Sequence, residues 1–247
     1  MISQNTISAI DSFASGVGIF AGLGIINLEQ TYQWPLPTSA DHYIAKSNGA
    51  SRLARTIELK QALHDLWQNE PARRKEIAQW IVADWGGVRG NSTKTLEAHF
   101  QRAEGNDLST PFAGVSSYSK IFSVVNPKKY AILDARVVVS LNAIQVLADK
   151  RGGMAFPYIS GRNNITGNQG KKRGFATCQH FSVKALVRER DWQRVPRSEA
   201  YAVYSKLMLD CSHRLDSVPE ITMLEMALFS QAERLTLLAE PALANHG

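Results

Sequence analysis

Apolar residues recur at intervals of three and four along most of the chain, a spacing typical of amphipathic helices. In the clearest run, Ser51 to Asn69, the repeated positions are Leu53, Ile57, Leu63, Leu66 and Trp67. The same spacing, or a clear start or stop signal, predicts further helices over Pro71 to Gly86, Ser92 or Thr93 to Arg102, Ser117 to Val125, Ala135 to Asp149, Phe175 to Arg190, Pro196 to Leu215 and Pro219 to Ala239. Strand signals are few and no internal repeat occurs. The pattern therefore predicts an all-α fold.

One stretch, Ala113 to Asn142, combines features that the other helices lack. Gly114 favours a turn with positive φ, and the helix after it stops at Asn126-Pro127. A lone acid, Asp134, then stands between two apolar runs. Because an ionised carboxylate is costly to desolvate without a partner, Asp134 is predicted to be the N-cap of the next helix, a working acid, or both.

Two short motifs in this stretch resemble those of the helix-hairpin-helix DNA glycosylase superfamily. Gly114-Val115 corresponds to the turn L-P-G-V-G-x-[KQ], and the run from Leu133 to Val137 corresponds to the loop V-D-[ST]-[HR]-V, with its acid 20 positions after the turn glycine. The chain has Ala113 for the usual proline, Ser116 for the second glycine and Tyr118 where some members carry a lysine nucleophile. The resemblance is close over Ala113 to Asn142 and loose from Trp80.

The resemblance implies a single helical glycosylase-like unit, residues 1–247, with two lobes and a cleft between them. Residues 75–150 form the hairpin lobe with the catalytic acid, and residues 1–74 and 151–247 form the second lobe and flanking helices. The implied activity is hydrolysis of the N-glycosidic bond of a base flipped out of DNA, with Asp134 catalytic. No cofactor or metal is expected.

Tyr118 in the lysine position implies a monofunctional enzyme that leaves an abasic site, with Tyr118 and Lys120 as possible second catalytic residues. A helix turns about 200° in two residues, so Lys120 is expected to face away from the direction of residue 118. Trp85 and Tyr118 are predicted to stack on the flipped base. Trp85 is followed by Gly86-Gly87, where backbone can approach a ligand, although a plain helix end beside a buried tryptophan explains the same pattern.

Positive charge is concentrated between Lys150 and Asp216, which hold 13 Lys and Arg against 5 Asp and Glu in a chain of net charge +6. A localised basic region favours a polyanion such as DNA, and a solvated basic surface is the alternative. The irregular polar segment from Gly152 to Gly174 is interpreted as either functional or disordered. The predicted DNA-binding residues are Gly114, Ser116, Ser117, Lys128, Lys129, Arg136, Arg162, Lys171, Lys172 and Arg173.

Other features exclude some classes and leave others open. The glycines from Gly16 to Gly24 do not have the spacing of a dinucleotide-binding fingerprint, and two cysteines cannot hold an iron–sulfur cluster. No Lys or Arg precedes Lys46, so we expect no export segment, and the apolar run from Phe13 to Leu28 is too short for a membrane span. We expect a cytoplasmic, nucleoid-associated monomer.

The rival class is a noncatalytic DNA-binding module in which Asp134 only caps a helix. For a glycosylase, the substrate is a damaged or mismatched base in repair, or a bulky base such as a glucosylated pyrimidine in viral DNA, in which case the protein acts in defence.

Overall fold

The computed structural model describes residue 11 and residues 28–46, 49–108, 111–148, 152–161, 163–167, 178–214 and 220–244, and the fold over them is mainly helical, as predicted. The helices are α1 (Leu28–Thr31), α2 (Arg52–Asn69), α3 (Arg74–Trp80), α4 (Thr93–Glu104), α5 (Val115–Val125), α6 (Ala135–Leu147), α7 (Val183–Arg190), α8 (Ala200–Arg214) and α9 (Ile221–Ala244). Two strands, β1 (Met154–Ala155) and β2 (Gln193–Arg194), pair in parallel.

The helices begin where the sequence provides a cap. Ser51 Oγ accepts the Ala54 amide at 3.1 Å and Ser92 Oγ accepts the Thr95 amide at 3.2 Å, each from the N-cap position. Of the two alternatives for the start of α4, Ser92 is therefore the cap. These bonds satisfy amides that have no acceptor within the first helical turn.

The structure differs from the sequence prediction in two elements and in the exposure of one residue. The segment after Pro71 opens with a 3₁₀ turn (Pro71–Arg73), and α3 continues as a π-helical turn over Ile81–Trp85. The described part of the helix predicted from Phe175 starts only at Val183, after a 3₁₀ turn at Gln179–Phe181. Ile57, predicted to face the core, is 38% exposed on α2. The first of these differences matters for the site, because the π turn sets the direction of Trp85.

Helix α6 is the centre of the core, and every residue from Val137 to Val146 is buried. It packs along α9, where Ser140 Oγ donates to the Leu228 carbonyl at 2.6 Å. Two side-chain amides of α6 pair with the backbone of residues 154 and 156 in the way that a neighbouring strand would. The Asn142 side chain bonds both backbone groups of Phe156, at 3.0 and 3.1 Å, and Gln145 does the same for Met154, at 2.8 and 2.9 Å. These bonds fix the extended chain that continues to Gly161.

One buried cluster runs from Ala40 to Ala239 and contains residues from both lobes that the sequence analysis proposed. Lys60 on α2 and Glu225 on α9 form an ion pair at 2.7 Å inside this core, with both side chains 4% exposed. Within the described ranges, no helix combines the length and apolar character that a bilayer span needs.

Candidate active site

A cleft of about 850 Å³ opens beside Asp134, and this volume falls within the range of about 300–1,000 Å³ usual for small-molecule sites. Three segments meet there: the loop from Gly86 to Asn91, the turn from Phe112 to Ser117, and the extended chain from Tyr158 to Gly161. The cleft therefore joins parts of the chain that the sequence analysis considered separately. Its other lining residues are Trp34, Lys120, Asp134, Ala135 and Arg197.

Asp134 is both a helix cap and a wall of the cleft. Its Oδ1 accepts the Val137 amide at 2.9 Å from the N-cap position of α6, which confirms the predicted cap. The side chain is only partly buried, and Oδ2 has no hydrogen-bond partner among the described residues. One carboxylate oxygen thus orients the group while the other remains available.

The backbone before Asp134 is held from several directions. The hydroxyl groups of Tyr201 and Tyr204 donate to the carbonyls of Ala131 and Ile132 at 3.2 and 2.9 Å. The two carbonyls lie three and two positions before Asp134. The bonds to them therefore restrict the backbone conformation directly before the acid. The position of Asp134 is therefore set by α8 as well as by its own helix.

Two more side chains hold the amides of the same segment. The Leu133 amide donates to Ser119 Oγ on α5 at 3.1 Å, and the Ile132 amide donates to Glu225 Oε2 on α9 at 3.4 Å. We call Ser119, Tyr201, Tyr204 and Glu225 the clamp residues. The sequence analysis missed all four, since their contacts join positions 14 to 93 residues apart.

Lys120 lines the same cleft as Asp134 and is 9% exposed. Its Nζ donates to the Ser116 carbonyl at 2.5 Å, and its aliphatic chain passes over Gly86, where an added Cβ would lie 2.9 Å from Lys120 Cδ. Burial lowers the pKa of the Lys120 ammonium, and the negative charge of Asp134 opposes this change. Gly86 therefore makes room for the lysine.

Tyr118 points in a different direction, as the helical angle predicts. Its side chain is 1% exposed and packs in the core against Tyr201, with ring centroids 5.5 Å apart, while its hydroxyl donates to the Pro111 carbonyl at 3.3 Å. Because the ring is not part of the cleft wall, this geometry contradicts the two roles predicted for Tyr118, stacking on a base and acting as a second catalytic group.

The turn before α5 has the predicted left-handed glycine, with φ of +80° at Gly114. Gly114, Ser116 and Ser117 all line the cleft, and no acceptor for the Gly114 and Ser116 amides lies among the described residues. Ser117 Oγ accepts a hydrogen bond from Asn91 at 3.3 Å, which fastens the Gly86–Asn91 loop to this turn. The turn thus offers amides to the cleft, whereas the Ser117 hydroxyl is already engaged.

His99 lies directly beneath this turn and was missed by the sequence analysis. A Cβ on Gly114 would be 2.8 Å from His99 Cε1, so the close approach requires glycine. The His99 side chain is 2% exposed, and neither ring nitrogen has a partner within the described part of the chain. Burial, with a smaller contribution from Arg102, lowers the pKa of His99 to about 4.

A small recess of about 30 Å³ lies next to the cleft and shares three wall residues with it, Trp34, Lys120 and Asp134. The predicted stacking residue Trp85 lines this recess rather than the cleft, and its side chain is 3% exposed. Its Nε1–H has no acceptor among the residues that the structure describes. The remaining walls are Tyr32, Ile132, Glu225 and Phe229.

Three of the predicted DNA-binding cations, Lys128, Lys129 and Arg136, do not line the cleft. Lys129 lies over the Tyr130 ring at 5.0 Å, and Lys128 lines a separate cavity of about 350 Å³. Arg136 pairs with Glu233 at 3.0 Å. The predicted Arg162, Lys171, Lys172 and Arg173 lie outside the described residues, as do the glycines from Gly16 to Gly24.

Two cations that the sequence analysis did not select line the cleft, Arg89 and Arg197. The Arg197 guanidinium stacks over Phe112 in the hairpin turn at 5.4 Å. Arg89 had a signal in the sequence, since it sits in the loop directly after Gly86-Gly87. Arg197 had none, because it reaches the turn from the start of α8.

Over the described ranges, no three His, Cys, Asp or Glu side chains are grouped to hold a metal ion. No family model matches this chain, and neither a curated protein nor a solved structure matches it. The site therefore has to be interpreted from its own chemistry.

Proposed function

We propose that this protein is a monofunctional DNA glycosylase that hydrolyses the bond between deoxyribose and a base flipped into the cleft. The observation that supports the proposal most is the position of Asp134, a carboxylate that lines a cleft of about 850 Å³ and is fixed through Oδ1, while Oδ2 has no hydrogen-bond partner among the described residues. The two motifs in the sequence support the same proposal, as do the two amides of the hairpin turn that lack an acceptor within the described part of the chain. In the finer fold assignment that goes with this proposal, α4, α5 and α6 form a glycosylase-like hairpin lobe.

Cleavage of an N-glycosidic bond builds positive charge on the sugar, as in other glycoside hydrolysis. A carboxylate near the anomeric carbon stabilises that charge, and it does so most effectively when it needs no reorganisation. The cap bond at Oδ1 and the clamp residues provide this preorganisation for Asp134. Its Oδ2 then accepts a proton from the attacking water, the water oxygen bonds to the anomeric carbon, and the base departs with the electrons of the broken bond.

Lys120 has an electrostatic role in this proposal. Its charge lies in the same cleft wall as Asp134 and favours the ionised carboxylate. The amine nucleophile of bifunctional members belongs at Tyr118 by resemblance, and that side chain is in the core. The proposed activity is therefore release of the base without cleavage of the DNA strand.

Phosphates on either side of the flipped nucleotide have acceptable partners at the cleft. The amides of Gly114 and Ser116 form a short anion-binding turn at the positive end of α5. Arg89 and Arg197 supply positive charge from two other segments. Phosphate contacts of this kind position DNA without reading its sequence.

The second candidate is a noncatalytic DNA-binding module, and the cap bond from Asp134 Oδ1 to the Val137 amide favours it. In that case the carboxylate only starts α6. Both candidates bind DNA with an affinity that falls as salt rises, so binding alone does not separate them.

One assay separates the two candidates. The protein is incubated with duplexes that carry oxidised purines, alkylated purines or mismatched pyrimidines, and with glucosylated and plain viral DNA, and abasic sites are cleaved with alkali before a gel. A glycosylase gives alkali-dependent breaks at one class of base, and glucosylated DNA as the substrate supports antiviral defence over repair. Salt-sensitive binding with no breaks on any of these DNAs supports the noncatalytic module.

A further inference from the structure

The recess beside Asp134 has a donor-rich interior. The Trp85 Nε1–H is buried without an acceptor among the described residues, and Lys120 lines the same recess. Lys120 gives one of its three protons to the Ser116 carbonyl. A buried donor without an acceptor destabilises the folded protein, so this wall favours a group that brings an acceptor.

Two of the oxygens around the recess are already engaged. Glu225 Oε2 accepts from the Lys60 ammonium at 2.7 Å and from the Ile132 amide at 3.4 Å. Asp134 Oδ1 accepts from the Val137 amide. The Trp85 Nε1–H is the buried group of this wall that lacks a partner among the described residues, and a ligand oxygen is the group that satisfies it.

The size of the recess limits what enters it. A volume of about 30 Å³ admits a group of one or two non-hydrogen atoms, since one water needs about 10–15 Å³ on this measure. An aromatic ring has to remain in the larger cleft. Trp34 lines both spaces and contacts Phe229 edge to face at 5.4 Å, so it is placed where such a ring meets the recess.

We infer that the recess binds an exocyclic carbonyl oxygen of the flipped base, with the Trp85 Nε1–H as its donor and Trp34 beside the ring. This inference rests on the proposed function for the identity of the ligand as a base. It selects bases with a carbonyl at the inserted edge, and it leaves bulky substituents on the opposite edge in the cleft. Trp85 is then a specificity-determining residue.

The test uses two probes that differ by one oxygen, 2-pyrimidinone and pyrimidine. The five indole N–H signals of the ¹⁵N-labelled protein are followed during titration with each probe. We expect 2-pyrimidinone to give a saturable shift of the Trp85 signal and pyrimidine to leave it in place. Equal shifts with both probes overturn the inference because the carbonyl oxygen is then not what the recess recognises, and no shift with either probe overturns it because the recess then takes only solvent.

Trp80 provides the matched control. It lies five residues before Trp85 in the same helical segment, but its Nε1–H is already bonded to Ser39 Oγ at 3.0 Å. Its signal is expected to stay in place with both probes. Signals are assigned from the loss of one peak in Trp85→Phe, and by elimination from the other four Trp→Phe variants if Trp85→Phe does not fold.

A kinetic measurement separates this inference from the proposed function. Loss of one such hydrogen bond in Trp85→Phe is expected to lower kcat/KM for base release about tenfold, and Trp80→Phe is expected to change it less than about twofold. Absence of base release by the wild-type protein refutes the proposed function, while the indole titration still decides what the recess binds. Base release that is equal in both variants refutes the inference alone.

Discussion

At its N-terminal end α5 meets the cleft, and at its C-terminal end, about 16 Å away for 11 residues, it meets Lys128 and Lys129. The first end has a left-handed glycine, and the Gly114 and Ser116 amides have no acceptor among the described residues. At the second end the last carbonyls already have partners, with Val124 bonded to His64 at 2.8 Å and Val125 to Gln68 at 3.3 Å. The contrast shows that cations near a helix are a weaker guide to a site than backbone groups without partners.

The largest expected effect at the cleft end comes from Asp134→Asn. Asparagine also serves as an N-cap, so α6 and the fold are preserved while the negative charge is lost. We expect base release to fall about a thousandfold and DNA affinity to change by less than about twofold, measured by single-turnover kinetics and fluorescence anisotropy. Asp65→Asn, an exposed acid on α2, is the control. Base release that persists at the wild-type rate in Asp134→Asn would reduce Asp134 to a cap.

The next effect concerns His99, under the turn at the same end of α5. Because its pKa of about 4 in the folded protein lies below its ordinary 6.5, the unfolded chain binds the proton more readily. The free energy of unfolding therefore falls as the pH drops from about 6.5 to about 4, by up to about 3 kcal/mol from this group. We expect His99→Phe to flatten that part of the curve.

Urea unfolding at a series of pH values from 7 to 4 measures this effect. His64→Phe, which removes a histidine at the opposite end of α5, is the control. Its curve of unfolding free energy against pH shows how much change follows from the loss of a histidine elsewhere in the chain. The explanation is wrong if His99→Phe retains the full acid sensitivity of the wild-type protein.

A paired substitution compares the two ends directly. Lys120→Met keeps the aliphatic chain and removes the charge beside Asp134, and we expect about a tenfold loss in the rate of base release. Lys128→Met removes a charge at the far end and is expected to change that rate less than about twofold, while weakening the salt dependence of binding only slightly. Comparable losses in both variants would mean that DNA contacts, and not the cleft, limit the rate.

The last prediction is a negative result in a borohydride trapping experiment. Borohydride added during the reaction is expected to trap no covalent complex between the wild-type protein and DNA, since the amine position of bifunctional members is the buried Tyr118. A trapped band on a denaturing gel that disappears in Lys120→Met would make Lys120 a nucleophile and the enzyme bifunctional.

Local signals in the sequence were sufficient for the features that local chemistry determines. The Ser92 and Asp134 caps, the positive φ of Gly114 and the stop at Asn126 follow from residue type and near neighbours, and the structure has each of them. The opposite directions of residues 118 and 120 also followed from helix geometry alone.

Features that depend on distant contacts were not predictable in this way. Arg197 stacks on Phe112 from 85 positions along the chain, and Tyr201 reaches Ala131 across 70. The π turn at Ile81–Trp85 inserts extra backbone into a sequence that has ordinary helical periodicity. Lys128 and Lys129 were predicted to bind DNA because of their charge. Whether they lie at the cleft depends on which end of α5 faces it, and the sequence does not determine this.

The clamp residues have a consequence for genetics. Tyr201 and Tyr204 fix the segment before Asp134 from α8, and Glu225 fixes it from α9. A random screen for inactive alleles will therefore collect changes at positions 201, 204 and 225, in the last fifth of the chain, even though the acid they orient lies near its middle. Under the proposed function, alleles at positions 201 and 204 that remain folded will be mistaken for a second functional centre unless the hydroxyl contacts are known.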